Sequence, residues 1–103
     1  MTSAASLQSA LRDHRAGRLE AAGTAYRSVL AAEPGHADAL HLLGLVDLQS
    51  GRAAAAAERV RRALLCGGER AMFCNSLGEA WRLLGDTDAA FACYRRAVVE
   101  NPG

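Results

Sequence analysis

The chain has 103 residues, of which 50% are hydrophobic but only 5% aromatic, so it is long enough for one small domain. Twelve basic residues against eleven acidic ones give a formal net charge of +1, which argues against a general nucleic-acid binder. All the basic residues are arginines, and together with the alanine and glycine content this points to a GC-rich bacterial genome.

Six helical segments follow one another along the chain, separated by glycine or proline. In chain order they are Ser3–Ala16, Leu19–Ala32, Ala37–Ser50, Ala53–Cys66, Ala71–Leu84 and Thr87–Val99. Glycine follows the first helix of each pair, where it can adopt the left-handed conformation that other residues resist. Proline or glycine then stops the second helix before the next pair begins. No segment indicates a β-strand.

The three helix pairs are copies of one repeat with a period of 34 residues and no insertion. Four columns are identical: Gly17, Gly51, Gly85; Ala21, Ala55, Ala89; Ala22, Ala56, Ala90; and Arg27, Arg61, Arg95. A fifth column is small throughout and lets the helices of a pair approach closely; it contains Ala10, Gly44 and Gly78. One pair cannot bury its apolar face alone, so about three must stack. The sequence predicts a single domain with repeats at 3–36, 37–70 and 71–103.

The third pair carries the pattern of a known family. Its residues Cys74-x-x-Leu77-Gly78-x-x-Trp81, followed by Gly85, Ala90, Tyr94, Ala97 and Pro102, resemble the tetratricopeptide repeat column by column. The resemblance covers residues 3–103. It implies an all-α fold, a right-handed α-solenoid of three helix-turn-helix hairpins with six helices. It also implies a protein-interaction or scaffold module rather than an enzyme.

Members of this family bind extended or helical peptides in a groove lined by the first helix of each repeat. In this chain the resemblance implies a groove lined by Leu7, Leu11, His14, His41, Leu45, Leu48, Asn75, Glu79 and Arg82. The first half of this face is apolar and the second half polar, which suits a peptide with hydrophobic anchors followed by a charged or polar end. Alternatively, another part of a longer polypeptide, or a second copy of the chain, covers the leucines.

Two subgroups of the family are not indicated. Members that grip the C-terminal carboxylate of chaperones use Lys, Asn and Arg, whereas the corresponding residues here are Leu7, Leu11, Leu42, Met72 and Ser76. Transferases of O-linked sugars carry a ladder of asparagines, and here that ladder would be Gln8, Leu42 and Ser76. Neither kind of ligand contact is therefore expected.

One column departs from the family pattern. Where the third repeat has Trp81, the first and second repeats have Asp13 and Asp47. A carboxylate at a half-buried position needs a partner or water. We expect nearby arginines to supply that partner, with a functional carboxylate as the alternative.

The histidines and cysteines have structural explanations. The segment from His36 through Asp38 to His41 resembles a metal site, but Asp38 falls in a first helical turn, where its charge meets the helix dipole. A further ligand is missing, so no metal and no other cofactor is predicted. Cys74 and Cys93 are expected to be wholly or partly buried, where cysteine behaves as a small hydrophobe.

Arginines recur along the second helices, at Arg27, Arg61, Arg62, Arg95 and Arg96. We expect them to form a solvated outer face, with an acidic partner surface as the alternative. No nucleophile–base arrangement, phosphate-binding glycine loop or pair of catalytic carboxylates can be assembled, so the chain is predicted to be non-enzymatic. It shows no signal peptide and no apolar run that could cross a bilayer. A cytoplasmic protein that binds another protein or peptide, but neither membrane nor nucleic acid, is expected.

The C-terminal end of the array carries Leu83, Leu84 and Phe91, with no capping helix after them. We expect these side chains to be partly exposed, and an exposed apolar end favours stacking onto something. Either the ends meet in a homo-oligomer, or the chain is the N-terminal recruiting or regulatory piece of a larger protein. The segment 36–44 resembles repeats that precede bacterial sugar-transferase, sulfotransferase and oxygenase domains, and a segment of such an enzyme is the alternative function.

Overall fold

Six helices account for the part of the chain that the structure describes. This computed structural model describes residues 3–100, and side chains from 5 to 99. In chain order the helices are α1 (Ser3–Arg15), α2 (Leu19–Ala32), α3 (Ala37–Gln49), α4 (Ala53–Leu65), α5 (Arg70–Leu83) and α6 (Thr87–Glu100). No strand occurs within residues 3–100. The predicted all-α fold with six helices is confirmed, with each boundary within one residue of its expected position.

The helices form three hairpins, α1–α2, α3–α4 and α5–α6, which stack in chain order. Each helix packs mainly against its neighbours in the sequence, and the described array measures 41 × 25 × 23 Å. Because every hairpin touches only the one before and the one after it, the first helices α1, α3 and α5 form one continuous face. The second helices form another.

The turn inside each hairpin is closed in the same way. The glycines that end the first helices have φ angles between 80° and 85°, which is the left-handed region that favours glycine. The next amide donates back to a carbonyl near the helix end: Arg18 N–H to Asp13 O at 2.9 Å, and Arg52 N–H to Asp47 O at 2.7 Å. The third turn repeats this bond at 2.9 Å. This Schellman closure satisfies carbonyls that the helix leaves unpaired.

Small residues bring the two helices of a hairpin together. A Cβ atom placed on Gly44 would lie 2.7 Å from Val60 Cγ2, and one placed on Gly78 would lie 2.7 Å from the Tyr94 ring. Real Cβ atoms do not approach other atoms this closely, so alanine at either position would require the opposing side chain to shift. In the first hairpin the same position is held by Ala10, which is fully buried.

Two apolar clusters fill the two junctions between hairpins. The first joins α1, α2 and α3 and includes Tyr26, Leu43 and Val46. The second joins α3, α4 and α5 and includes Val60 and Phe73. Each hairpin therefore buries an apolar face against the next one, which is the source of stability in repeat arrays.

The turn between α4 and α5 has Gly68 where the first and third repeats have Pro34 and Pro102, and the packing explains why. Gly68 has a φ angle of 94°, and a Cβ atom on it would lie 2.6 Å from the buried Phe73 ring. At the previous junction Pro34 stands at the equivalent place, and Ala39 replaces the phenylalanine. The buried Phe73 ring thus leaves no room for a side chain at residue 68.

Candidate functional site

The residues predicted to line the groove lie on α1, α3 and α5. Four leucines on α1 and α3 are half-buried, as are His14 and Glu79, whereas Asn75 and Arg82 on α5 are exposed and His41 is buried. We call the accessible members the first-helix groove; they are Leu7, Leu11, His14, Leu45, Leu48, Asn75, Glu79 and Arg82. Their role in binding a ligand stays a prediction.

The four leucines in the apolar half of the first-helix groove differ in whether they pack against the core. Leu7 packs against the first core cluster and Leu48 against the second, so part of the surface of each is already used. Neither Leu11 nor Leu45 belongs to a described cluster. Leu11 also lines a shallow cavity of about 370 Å³ on α1, together with Gln8, Arg12 and Arg15. The two free leucines are the better candidates for contact with a ligand.

His14 links the first hairpin to the second. Its Nε2 donates to Gln49 Oε1 at 2.6 Å, and its Nδ1 accepts from the Tyr26 hydroxyl at 2.9 Å. Burial raises the pKa of Tyr26 above its usual value, although the charge of Arg15 opposes this, so the phenol keeps its proton and remains a donor. His14 therefore spans the junction, and only the remaining part of its ring faces the groove.

His41 does not line the groove, which corrects the sequence prediction for this residue. Its side chain is 3% exposed, stacks on Phe73 with ring centroids 4.5 Å apart, and shares a hydrogen bond of 2.7 Å with Ser76 Oγ. Burial lowers the pKa of His41, and the nearby charge of Asp38 only partly opposes the shift. The imidazole is thus a neutral packing element between α3 and α5.

The polar half of the groove is organised around an ion pair. Arg82 Nε donates to Glu79 Oε2 at 3.1 Å, and a second guanidinium nitrogen contacts the other carboxylate oxygen. The Tyr94 hydroxyl donates to Glu79 Oε2 at 3.2 Å. These bonds, that from Arg82 above all, hold the pKa of Glu79 below its usual range. Beside this pair the exposed Asn75 offers one donor and one acceptor group.

The aspartates in the tryptophan column pair with arginines, as predicted. Asp47 is 1% exposed and accepts from Arg52 Nε at 3.1 Å and from Arg59 Nη1 at 2.6 Å. Asp13 is more exposed and pairs with Arg18 at 3.1 Å. Both carboxylates are thus paired with arginines beside the hairpin turns.

The predicted position of Asp38 and the predicted burial of Cys74 and Cys93 are confirmed. His36 is the N-cap of α3, where its Nδ1 accepts from Ala39 N–H at 3.2 Å, and Asp38 lies in the first turn. Among the residues with described side chains, no three His, Cys, Asp or Glu gather into a metal-binding group. Cys74 is buried and Cys93 partly buried.

Sequence reasoning missed two equivalent clefts on the opposite side of the array. One lies between α2 and α3, has a volume of about 480 Å³ and includes Arg27 and Arg52 in its lining. The other lies between α4 and α5, has a volume of about 320 Å³ and includes Arg61, Trp81 and Leu84. Arg27 and Arg61 belong to the identical arginine column, and this column was the signal that could have located the clefts.

The three apolar residues at the C-terminal end are exposed, as predicted, but they do not lie on one common surface. Leu83, Leu84 and Phe91 are 51%, 45% and 67% exposed. Leu84 lines the cleft toward α4. Leu83 is equivalent to Gln49, which is exposed even though another hairpin follows it, so exposure of Leu83 does not depend on the end of the array. Of the three residues, only Phe91 occupies a position that a following element would cover.

Helical hairpins stacked in chain order, with small residues at the helix contacts, define an α-solenoid. The sequence model of the tetratricopeptide repeat family matches residues 14–72, which is more than half of the chain. The chain therefore belongs to the tetratricopeptide repeat family. A search of curated protein sequences finds no significant match.

Solved structures share the fold over nearly the whole chain. MamA superposes with a TM-score of 0.90 and 22% identity, covering 98% of this chain and 59% of MamA. The N-terminal domain of stress-induced protein-1 (STI-1) from C. elegans gives 0.86 and 15%, covering 98% of this chain and 85% of that domain. A mutant Thermobaculum terrenum O-GlcNAc transferase gives 0.89 and 29%, covering 99% of this chain but only 21% of the transferase.

Among residues 3–100, no helix is both long enough and apolar enough to span a bilayer.

Proposed function

We propose that the chain is a scaffold that binds a short peptide of a partner protein along the first-helix groove. Membership of the tetratricopeptide repeat family supports protein interaction as the general role. One observation carries the finer proposal: the groove changes from half-buried leucines on α1 and α3 to an exposed polar surface on α5. This change predicts both the composition and the direction of the ligand.

The apolar half would hold two hydrophobic anchors of the peptide. Leu11 and Leu45 occupy equivalent positions on α1 and α3, one repeat apart. An extended chain advances about 3.3 Å per residue, so anchors that reach both leucines are expected to be several residues apart in the ligand.

The polar half would hold the other end of the peptide. Glu79 and Arg82 already neutralise each other, so this end offers hydrogen-bonding groups rather than a net charge. Asn75 lies beside them on α5. We expect polar side chains or backbone groups of the ligand here, because a further apolar anchor would have to desolvate the ion pair.

Selection from a displayed library of random peptides tests this proposal, followed by affinity measurements on the selected sequences. We expect enriched peptides to carry two apolar anchors followed by polar residues. The variant Leu45→Arg should weaken their binding by at least about 10-fold, because it places a charge in the anchor site. Leu65→Arg is the matched control, since Leu65 is 83% exposed on α4 and lies outside the groove. Selected peptides that bind Leu45→Arg as tightly as the wild type would overturn the groove proposal.

A second candidate function is a recruiting segment of a larger bacterial transferase or oxygenase. The observation that favours it is the 29% identity to an O-GlcNAc transferase of which the matched region forms only 21%. In this case the groove would select substrates or partners for a catalytic domain elsewhere in the polypeptide. Sequencing the gene past codon 103 tests this: an adjoining catalytic domain supports the candidate, and a stop codon there excludes it.

A further inference from the structure

The N-terminal face of the array is polar. In the interior junctions Leu43 and Val46 face the preceding hairpin, and each is 1% exposed. The residues one repeat earlier, on α1, are Ser9 and Arg12, and both are exposed. Among the described side chains, these two positions therefore offer a polar surface where the interior junctions offer an apolar one.

The C-terminal face is apolar at the equivalent positions. Gly23 and Ala57 face the following hairpin and are buried, whereas Phe91 in the same column is 67% exposed. Leu64 packs against the second core cluster, whereas Val98 one repeat later is 62% exposed. The repeat period thus separates a covered face in the interior from a face on α6 that no described residue covers.

The size of Phe91 distinguishes this face from the interior junctions. At Gly23 a Cβ atom would lie 3.6 Å from Val46 Cγ1 of the next hairpin, which is ordinary van der Waals contact, and the next junction has Ala57 in this column. A phenyl ring at the same position presents a larger apolar surface than either interior junction buries. Head-to-tail stacking of copies would place Phe91 against Ser9 and Arg12. These polar side chains provide no apolar surface for the phenyl ring to pack on, so this arrangement is disfavoured.

We propose that this face pairs with the same face of a second copy, with the two α6 helices antiparallel about a two-fold axis. Asp88, Phe91, Arg95 and Val98 are spaced i, i+3, i+7 and i+10, so they share one side of α6. A two-fold axis at Phe91 brings Asp88 of each copy opposite Arg95 of the other. Such a surface is complementary to itself, as an isologous interface requires.

The charges on this side are available for the pairing. Neither Asp88 nor Arg95 takes part in a salt bridge within the described part of the chain. The Arg95 guanidinium lies 5.7 Å from the Phe91 ring centroid, which keeps it beside the proposed centre of the interface. The dimer combines an aromatic centre with two flanking ion pairs.

The dimer is weak and reversible. One pair of short helices buries less than the roughly 1,600 Å² of a standard interface, and contacts of this size are typical of transient complexes. The first helices remain outside the interface, and each dimer therefore presents two grooves. A partner that carries two binding motifs would be held more tightly than either motif alone. The dimer itself does not depend on the proposed groove function.

Sedimentation equilibrium of the 103-residue chain, over a wide range of concentration, tests the proposal through charge reversal. Asp88→Arg and Arg95→Asp should each raise the dissociation constant of the dimer at least about 10-fold, because each places like charges opposite one another. The double variant Asp88→Arg/Arg95→Asp should return to within about threefold of the wild type, since the pair is restored with reversed sign. Leu65→Ser is the control, because it removes an exposed leucine outside the proposed interface.

Three outcomes would overturn the inference. A monomer at every concentration up to the solubility limit would mean that a different molecule or segment covers α6. A dimer that ignores both single charge reversals would form through another surface. Failure of the double variant to recover would refute the antiparallel arrangement. Binding of a selected peptide, measured on the same variants, reports on the groove separately and should be unchanged in all of them.

Discussion

The second and third hairpins share one turn geometry but fill the space beside it with opposite chemistry. In the second hairpin Asp47 is 1% exposed and is bound by Arg52 and Arg59. In the third hairpin Trp81 takes the same column and packs against the second core cluster. The backbone closure is nonetheless the same, because it depends on glycine and on main-chain groups rather than on the side chain.

The difference between these hairpins extends to the neighbouring columns. The residues equivalent to Arg52 and Arg59 are Asp86 and Cys93 in the third hairpin, so the carboxylate and both arginines are absent there together. Asp86 has another use, since its Oδ1 accepts from Ala89 N–H at 3.0 Å at the start of α6. A buried carboxylate is therefore tolerated only with its complete set of partners, because an unpaired buried charge is costly.

The largest effect on stability is expected from removing Asp47, the buried carboxylate of the second hairpin. Asp47→Ala should lower the free energy of unfolding by about 2–4 kcal/mol, because it leaves the half-buried Arg59 without a partner. Asp13→Ala should cost less than about 1 kcal/mol, because the Asp13–Arg18 pair is more exposed. Urea denaturation of both variants measures the difference. Equal losses would show that burial of Asp47 does not decide its contribution.

A smaller effect on stability is expected from adding a methyl group where the two helices of a hairpin meet, and it should differ between the second and third hairpins. In Gly44→Ala the new methyl group would lie 2.7 Å from Val60, which is fully buried and cannot move aside. Overpacking costs about 1–3 kcal/mol, and the better helix propensity of alanine returns about 1 kcal/mol. A net loss of stability of up to about 2 kcal/mol is expected.

Gly78→Ala is the matched variant in the third hairpin. The opposing Tyr94 is only partly buried, and Ala10 with Tyr26 shows that alanine and tyrosine fit at this contact in the first hairpin. We expect its stability to stay within about 1 kcal/mol of the wild type. Thermal or urea unfolding of the two alanine variants compares them, and a greater loss at Gly78 would contradict the packing argument.

The smallest effect concerns the pH dependence of the junction between these hairpins. Burial lowers the pKa of His41 below its usual value of 6.5, so the unfolded chain takes up a proton that the folded chain resists. The stability contributed by neutral His41 is complete above 6.5, begins to fall below it, and is lost as the pH falls through the lower pKa of the folded state. One proton changes the free energy of unfolding by at most about 1.4 kcal/mol per pH unit.

Unfolding of the wild type and of His41→Gln between pH 8 and pH 5 isolates this contribution. Glutamine can keep a hydrogen bond to Ser76 but does not titrate, so we expect its stability to fall less steeply below pH 6.5. The other histidines remain in both proteins and serve as an internal reference. Identical slopes for the two proteins would assign the pH dependence to another group.

Local chemistry explains what could be predicted from the sequence. The six helices, their boundaries and the hairpin turns follow from helix propensity and from glycines such as Gly51, whose backbone conformation needs no distant partner. The 34-residue period then predicts the stacked architecture, because each hairpin repeats the same apolar face. The pairing of Asp47 with arginine was also predictable, since a buried carboxylate requires a counter-charge.

Tertiary structure alone decided the accessibility of individual side chains. His41 is removed from the groove by Phe73, which comes from the following hairpin, and Arg59 reaches Asp47 from the second helix of its own hairpin. Leu84 and Phe91 are both exposed, yet only the stacking of hairpins shows that they belong to different surfaces. Periodicity reports which residues are equivalent, but burial and ion pairing depend on side chains brought together from separate helices, and those differ from one junction to the next.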